Sequence, residues 1–277
     1  LKKFFRSGKY FFLAILIGVI LWWATLTPSN NRDWQTDVAI LPYATIENNK
    51  ITLHHIRNFN YRSETDYTPG YYDKQFDLNK LESVDLIATY WMGPGIAHTF
   101  LSFGFGYNNY LAISIETRKE KSEKYSTLKG FFRQYELYYV VADERDVIRL
   151  RTNYRHDPPE QVYLYRVKGE KENMRKVFLE YIHKINQLHR QPEVYNSLTT
   201  NCTTNIWANT LVISDHLPFN WKILASGYLP DFLYETGHLE THGLSFSELK
   251  KRSNINLRAQ VADKASDFSS QIRVILK

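Results

Sequence analysis

The chain has a single cysteine, Cys202, in 277 residues. An internal disulfide is therefore excluded, and a domain of this size must fold on its core alone. Net charge outside the N-terminus is also small. Of the formal +6, four charges come from Lys2, Lys3, Arg6 and Lys9, leaving two for the rest. No zinc-finger, RNP or Lys-rich repeat is present, so charge and motif together argue against nucleic acid as a partner. There is no internal repeat and no low-complexity tract. Aromatic residues are abundant, with 20 Tyr, 16 Phe and 6 Trp, which suits a β-rich or mixed fold and argues against disorder.

The basic residues 1–9 precede an uncharged run, 10–26, just long enough to cross a hydrocarbon core at about 1.5 Å per residue. Trp22 and Trp23 near its far end fit an interfacial belt, and the preceding Lys/Arg excess predicts an N-terminus inside. No small-x-small cleavage site follows, since Thr25-Leu26-Thr27-Pro28 is a poor one, so a retained anchor is expected rather than a cleaved signal. The expected organisation is a basic flank (1–9), a transmembrane anchor (10–26), a linker (27–35), one domain (36–265) and a polar tail (266–277). That places the domain on the outer face of a bacterial inner membrane, where a lone thiol is a liability unless buried or used.

The fold class expected is α+β. Strands are predicted at Asp37–Ile40, Ile51–Ile56, Asp85–Trp91, Ile96–Phe105, Tyr110–Ile115, Glu136–Ala142, Val147–Thr152 and Gln161–Val167. Gly106-Tyr107-Asn108-Asn109 marks a hairpin, because Gly and Asn tolerate positive φ. Met174, Val177, Phe178, Tyr181, Ile182, Ile185 and Leu188 recur at helical spacing and predict an amphipathic helix whose stripe is core packing. His54 and His55 are adjacent in a strand and face opposite sides, which argues against a shared metal ion. No metal or other cofactor is expected.

Asn201 is a good N-cap, which puts Cys202 at the first position of a helix. Unpaired N–H groups and the helix dipole favour the thiolate there, and the same amides can serve an oxyanion hole. A hairpin centred near Tyr107–Asn109 places His98 opposite about Arg118, with Glu116 a diagonal neighbour. The arrangement expected is His98 as base, Cys202 as nucleophile and Glu116 as the group that orients the imidazole, with Ser114 and Asn201 as rivals for the third role. Each has an inert counterpart: a core Cys, a structural His, and an exposed Glu116–Arg118 ion pair.

Several long blocks carry a resemblance. They are Ile96–Phe105, Ser114–Glu120, Gly130–Leu137, Val141–Tyr154 and Tyr195–Asn205. In these the chain resembles the Lnb N-terminal periplasmic domain family, over most of residues 36–265. The family is named for a bacterial lipoprotein N-acyltransferase. Its likeness to circularly permuted papain-like enzymes implies an antiparallel sheet with helices packed on it and a His-then-Cys order. His98 and Cys202 sit at the matching motif positions, and Glu116 at the acidic position of the next strand block. The resemblance implies ping-pong acyl transfer from a membrane phospholipid through a Cys202 thioester to an amine, such as a lipoprotein N-terminus, or to water. Asn201, Thr203, Arg118, Arg149 and Arg151 are candidates for substrate binding. The three arginines, with Arg145, would meet lipid phosphate, and Arg149 and Arg151 would share a strand face. The competing readings are a cysteine peptidase or amidase on cell-wall peptides and a non-catalytic envelope binding module. Gln134-Tyr135-Glu136 has no role derivable from sequence.

Overall fold

The computed structural model describes residues 10–19, 25, 27–124 and 135–274. Residues 10–19 are helical and exposed, and no helix among the described residues is long and apolar enough to cross a membrane. The basic flank 1–9 and most of 20–26 lie outside the described residues.

In chain order the strands are β1 (Tyr43–Glu47), β2 (Lys50–Arg57), β3 (Asn60–Tyr61), β4 (Tyr67–Thr68), β5 (Tyr71–Asp77), β6 (Ser83–Tyr90), β7 (His98–Gly104), β8 (Tyr110–Arg118), β9 (Tyr135–Ala142), β10 (Gln161–Arg166) and β11 (Val194–Tyr195). The helices are α1 (Glu144–Arg149), α2 (Lys171–Arg190), α3 (Cys202–Thr210), α4 (Trp221–Leu224), α5 (Leu229–Glu235), α6 (Phe246–Ser253), α7 (Asn256–Val261) and α8 (Phe268–Gln271). One sheet runs β1-β2-β9-β8-β7-β6-β10, with β5 on β2 and β11 on β9. Its pairings are antiparallel apart from a single parallel bridge, Arg57 to Ala142. The fold is α+β, with helices packed on a mostly antiparallel sheet.

Both faces of the sheet are covered. On one, the Met174–Leu188 stripe of α2 packs with Leu86, Leu101, Phe103, Ile113 and Tyr139. On the other, Val147, Ile148, Ala259, Phe268 and Ile272 pack on Ile87, Phe100, Ala112 and Val140. Double coverage is why β6 and β9 are buried at every position instead of alternating.

Four local expectations are corrected. Asp37–Ile40 is not a strand: Thr36–Val38 is a short 3-10 turn. Val147–Thr152 is not a strand either, but the end of α1 running into a π turn, Leu150–Tyr154. The Asp143 side chain caps α1 by accepting from the Arg145 N–H, with Glu144 and Asp146 in the first turn, and this helix-start chemistry overrides the β-branched Val-Ile pair. Residues 27–35 are not a free linker. The Ser29 N–H donates to Glu136, Asn30 Nδ2 donates to the carbonyls of Leu188 and His189, and Trp34 is buried under the Arg118 guanidinium. The expected tail is docked: Phe268 and Ile272 are fully buried, and Arg273 forms buried ion pairs with Asp85 and Glu144.

Candidate active site

The site assembles where β7 begins, β8 ends and α3 starts. The β7–β8 turn spans Phe105–Asn109, with Gly106 at φ 107° and Asn108 at φ 50°, and the Phe105 N–H donates to the Asn109 carbonyl. Gly104 pairs with Tyr110 and Leu101 with Ile113. Continued along the strands, this register sets His98 across from Glu116, two residues short of the Arg118 expected from sequence. The shift puts the acid closer to the base.

His98 Nε2 lies 2.7 Å from Ser114 Oγ, which donates to Glu116 Oε1 at 2.8 Å. The direct approach of His98 Nε2 to Glu116 Oε1 is longer, 3.6 Å. Ser114 is thus interposed between base and acid, and two of the three sequence candidates for the orienting role, Ser114 and Glu116, approach the same ring nitrogen, while Asn201 does not. Arg151 pairs with Glu116 at 3.3 Å and with Glu160 at 3.1 Å, which keeps this carboxylate charged and in place. Burial works against the charge on Glu116, yet His98, Arg151 and Arg57 together hold its carboxyl well below the usual range.

Cys202 comes from the other layer. Asn201 caps α3 by accepting from the Thr204 N–H, and Cys202 takes the first helical position as the sequence predicts. The thiol is buried, 9 % exposed, and packs with the α2-side core, whereas His98 leans on Phe100 of the opposite face at 5.8 Å between ring centres. The pair meets at the start of β7, where the imidazole and the thiol lie close enough for each to shift the ionisation of the other. Burial pushes the thiol up, but the neighbouring His98 imidazole, helped by Thr99, brings it below the ordinary value. Burial and Arg151 disfavour the charged imidazole. Contacts with Cys202 and Glu116 outweigh them and leave His98 raised. Opposite shifts in two touching groups favour a thiolate–imidazolium pair.

The other nominated residues lie elsewhere in this arrangement. Asn201 is committed to the cap and donates to the Ser197 carbonyl, and Thr203 is fully buried with its hydroxyl bonded to Asn201 Oδ1. Arg118 is buried, stacked on Trp34, and donates to the carbonyls of Val38 and Ala39. Arg149 donates to the Asp263 carbonyl. Because they sit on a helix and a π turn, Arg149 and Arg151 do not share a face as strand residues would. Of the expected phosphate ligands only Arg151 reaches the site, and it does so as a carboxylate partner. Glu136 receives the Ser29 N–H and pairs with Arg32 at 3.2 Å, so this part of the unexplained block fastens the incoming chain. Gln134 lies outside the described residues. Thr99 and Glu160 were not legible as site residues, since their roles arise from contacts with no sequence motif.

Two cavities border the elements that carry the pair. A polar cleft of about 370 Å³ is lined by His98, Glu116, Arg151, Glu160, Trp91 and Tyr195. An apolar cavity of about 120 Å³ runs along α3, between Thr203, Ile206 and Trp207 and the side chains of Leu86, Leu101 and Val177. No group of three or more His, Cys, Asp or Glu side chains arranged for a metal occurs among the described residues.

Asn201→Ala is expected to lower stability by about 1 kcal/mol, the usual cost of a lost N-cap, read as a shift in the urea midpoint. Ser114→Ala is expected to slow the chemistry of Cys202 about tenfold, the worth of one lost neutral hydrogen bond. Glu116→Gln should cost more, because the positive charge on His98 then loses its counter-ion. A larger loss in Ser114→Ala would reverse the assignment of the orienting group.

The Lnb N-terminal periplasmic domain family matches residues 67–227, a span that holds His98, Ser114, Glu116 and Cys202. No curated protein and no solved structure matches the chain.

Proposed function

The chain belongs to the Lnb N-terminal periplasmic domain family, a family of the cell envelope, and from that premise we propose that it is a membrane-anchored thiol enzyme that moves an acyl group through Cys202. The observation that supports this reading is the juxtaposition of Cys202 and His98, with the His98–Ser114–Glu116–Arg151 chain of contacts behind the imidazole. The order, a strand His before a helix-start Cys, is the one a permuted papain-like enzyme would have.

In the reaction proposed, His98 takes the thiol proton and the sulfur attacks the ester carbonyl of a phospholipid. The carbonyl oxygen becomes negative and is met by amides of the first turn of α3, including that of Cys202. Collapse expels the lysolipid alkoxide, which takes the proton from His98, and leaves an acyl thioester. An amine, a lipoprotein N-terminus being the acceptor the family name points to, then attacks with His98 as base, or water does. The run at 10–26 would hold the domain at the bilayer and reduce the cost of encounter. The apolar cavity along α3 supports an acyl chain as the group bound, and the polar cleft at His98 gives the second substrate a separate approach.

The test is intact-mass analysis of the full chain after incubation with phosphatidylethanolamine vesicles. An acyl adduct that hydroxylamine removes and that Cys202→Ala lacks is expected. The polar cleft also favours a second reading, a cysteine amidase on cell-wall peptides. Cleavage of a stem peptide that needs Cys202, with no adduct from lipid, would replace the first reading by the second.

A further inference from the structure

Two loops place large apolar side chains in solvent beside the site. In the β6–β7 loop, Met92 is 65 % exposed, with Ile96 and Trp91 also exposed, and this Trp-Met-Gly-Pro-Gly-Ile stretch carries no charged or polar side chain. After α3, Phe219 (57 %), Trp221 (58 %) and Leu224 are exposed. The two loops are stitched into one surface. The Gly227 N–H donates to the Gly95 carbonyl, the Ala97 N–H donates to Ser226 Oγ, and the Trp221 ring packs on Tyr228 at 5.4 Å. Gly227 is required at this crossing, since a Cβ there would collide with the Pro94 carbonyl. The surface borders both cavities: Trp91 lines the polar cleft, while Ile223 and Leu229, beside Trp221 and Leu224, line the apolar one.

Sheet register places this surface relative to the point where the chain enters the domain. Thr89 pairs with His98, and Arg118 pairs with Glu136. Just beyond the strand ends, Trp91 and Ile96 therefore lie at the same end of the sheet as Glu136, three strand spacings (about 14 Å) away for Trp91 and two for Ile96. Glu136 is where Ser29 is tied down. Between Ser29 and the uncharged run ending at Leu26 there are only Thr27 and Pro28, a tether of about 10 Å at most. The surface, the Cys–His pair and the entry of the apolar run thus share one end of the molecule. Scattered exposed apolar residues need no partner, but a contiguous set of two tryptophans, a phenylalanine and three aliphatic chains does. Tryptophan at such an edge suits a bilayer interface.

We propose that Trp91, Met92, Ile96, Phe219, Trp221 and Leu224 form a lip that enters the outer leaflet of a lipid bilayer and seats the two cavity mouths at the headgroup level. The occupant is the bilayer, because the chain's own apolar run is delivered to the same edge. The docking does not require the acyl-transfer reading, and its test is independent of it. Full-length chain is reconstituted in phosphatidylethanolamine–phosphatidylglycerol vesicles whose acyl chains carry bromine, and tryptophan quenching is compared with that of the Trp91→Phe/Trp221→Phe variant. Loss of a quenched component in the variant is expected; identical quenching in the two overturns the proposal, whether the surface is then bare or covered by a protein. A second variant, Met92→Asp/Leu224→Asp, is expected to slow acylation from vesicle lipid while iodoacetamide labels Cys202 at the wild-type rate. Acylation unchanged in this variant also overturns the lip. Absence of any adduct in wild type would count against the thioester reading alone, and the quenching result would still decide the docking.

Discussion

His98→Ala is expected to reduce acyl-adduct formation at Cys202 by about 10²–10⁴-fold, the usual contribution of a positioned general base. It should also move the pH at which iodoacetamide begins to alkylate the thiol. The sign follows from what surrounds the sulfur. Burial favours the neutral thiol, and the adjacent His98 imidazole more than offsets it, so the wild-type thiol ionises below its ordinary value. With His98 gone, burial dominates and ionisation moves above that value. Wild type should therefore react at a pH where the variant is silent, and the two should converge only in strong alkali. The imidazole moves the opposite way, staying protonated above its ordinary value of about 6.5 because Cys202 and Glu116 stabilise its charge. The two shifts run toward each other and favour the proton on the imidazole, and acyl transfer should follow a bell whose maximum is where the pair holds one proton. The two groups titrate as a unit, so the limbs belong to the pair and not to either residue. Equal alkylation of wild type and His98→Ala at every pH would leave a packed, inert cysteine and support the binding-module reading.

The second large effect lies at the opposite end of the sheet. Arg273→Ala is expected to cost about 3–5 kcal/mol of stability, because it removes one partner from a buried charge network. Its guanidinium is 2.8 Å from Asp85, is paired with Glu144, and lies 3.5 Å from the centre of the Tyr110 ring. Asp85 and Glu144 are fully buried, and Asp85 also holds Arg166 at 2.6 Å. Urea unfolding at neutral pH should show the loss, and Arg273→Lys should recover only part of it, since a lysine cannot fork between two carboxylates. A loss below about 1 kcal/mol, the value of an exposed pair, would mean the C-terminal segment is a tail after all.

That residue marks where reading the chain stops being sufficient. Helix α2 was legible because its seven apolar positions repeat every three or four residues, and all seven are buried. The start of α3 was legible for the same reason: Asn201 caps it through the Thr204 N–H, three residues away. β7 and β8 were visible as apolar runs around a Gly/Asn turn. Their register was missed by two residues, because Gly104 pairs with Tyr110 around a five-residue turn that composition alone does not position. Val147–Thr152 was misread because Val and Ile carry a strand preference, which a capped, acidic first turn outweighed once the segment had sheet to pack against.

The sequence by itself determined the parts of this protein that depend on near neighbours: a thiol at a helix start, an imidazole on a preceding strand, and an uncharged run ahead of one aromatic-rich domain. The partners of the charges were decided only by tertiary structure. Arg151 meets Glu116 across 35 positions and Arg273 meets Asp85 across 188. Whether an arginine faces a phosphate, a carboxylate or the core depends on which distant strand lies beneath it. Helix and cap signals act over three or four residues and survive in the linear order of side chains. Ion pairing acts through space, and the chain reveals it only when both cores have closed.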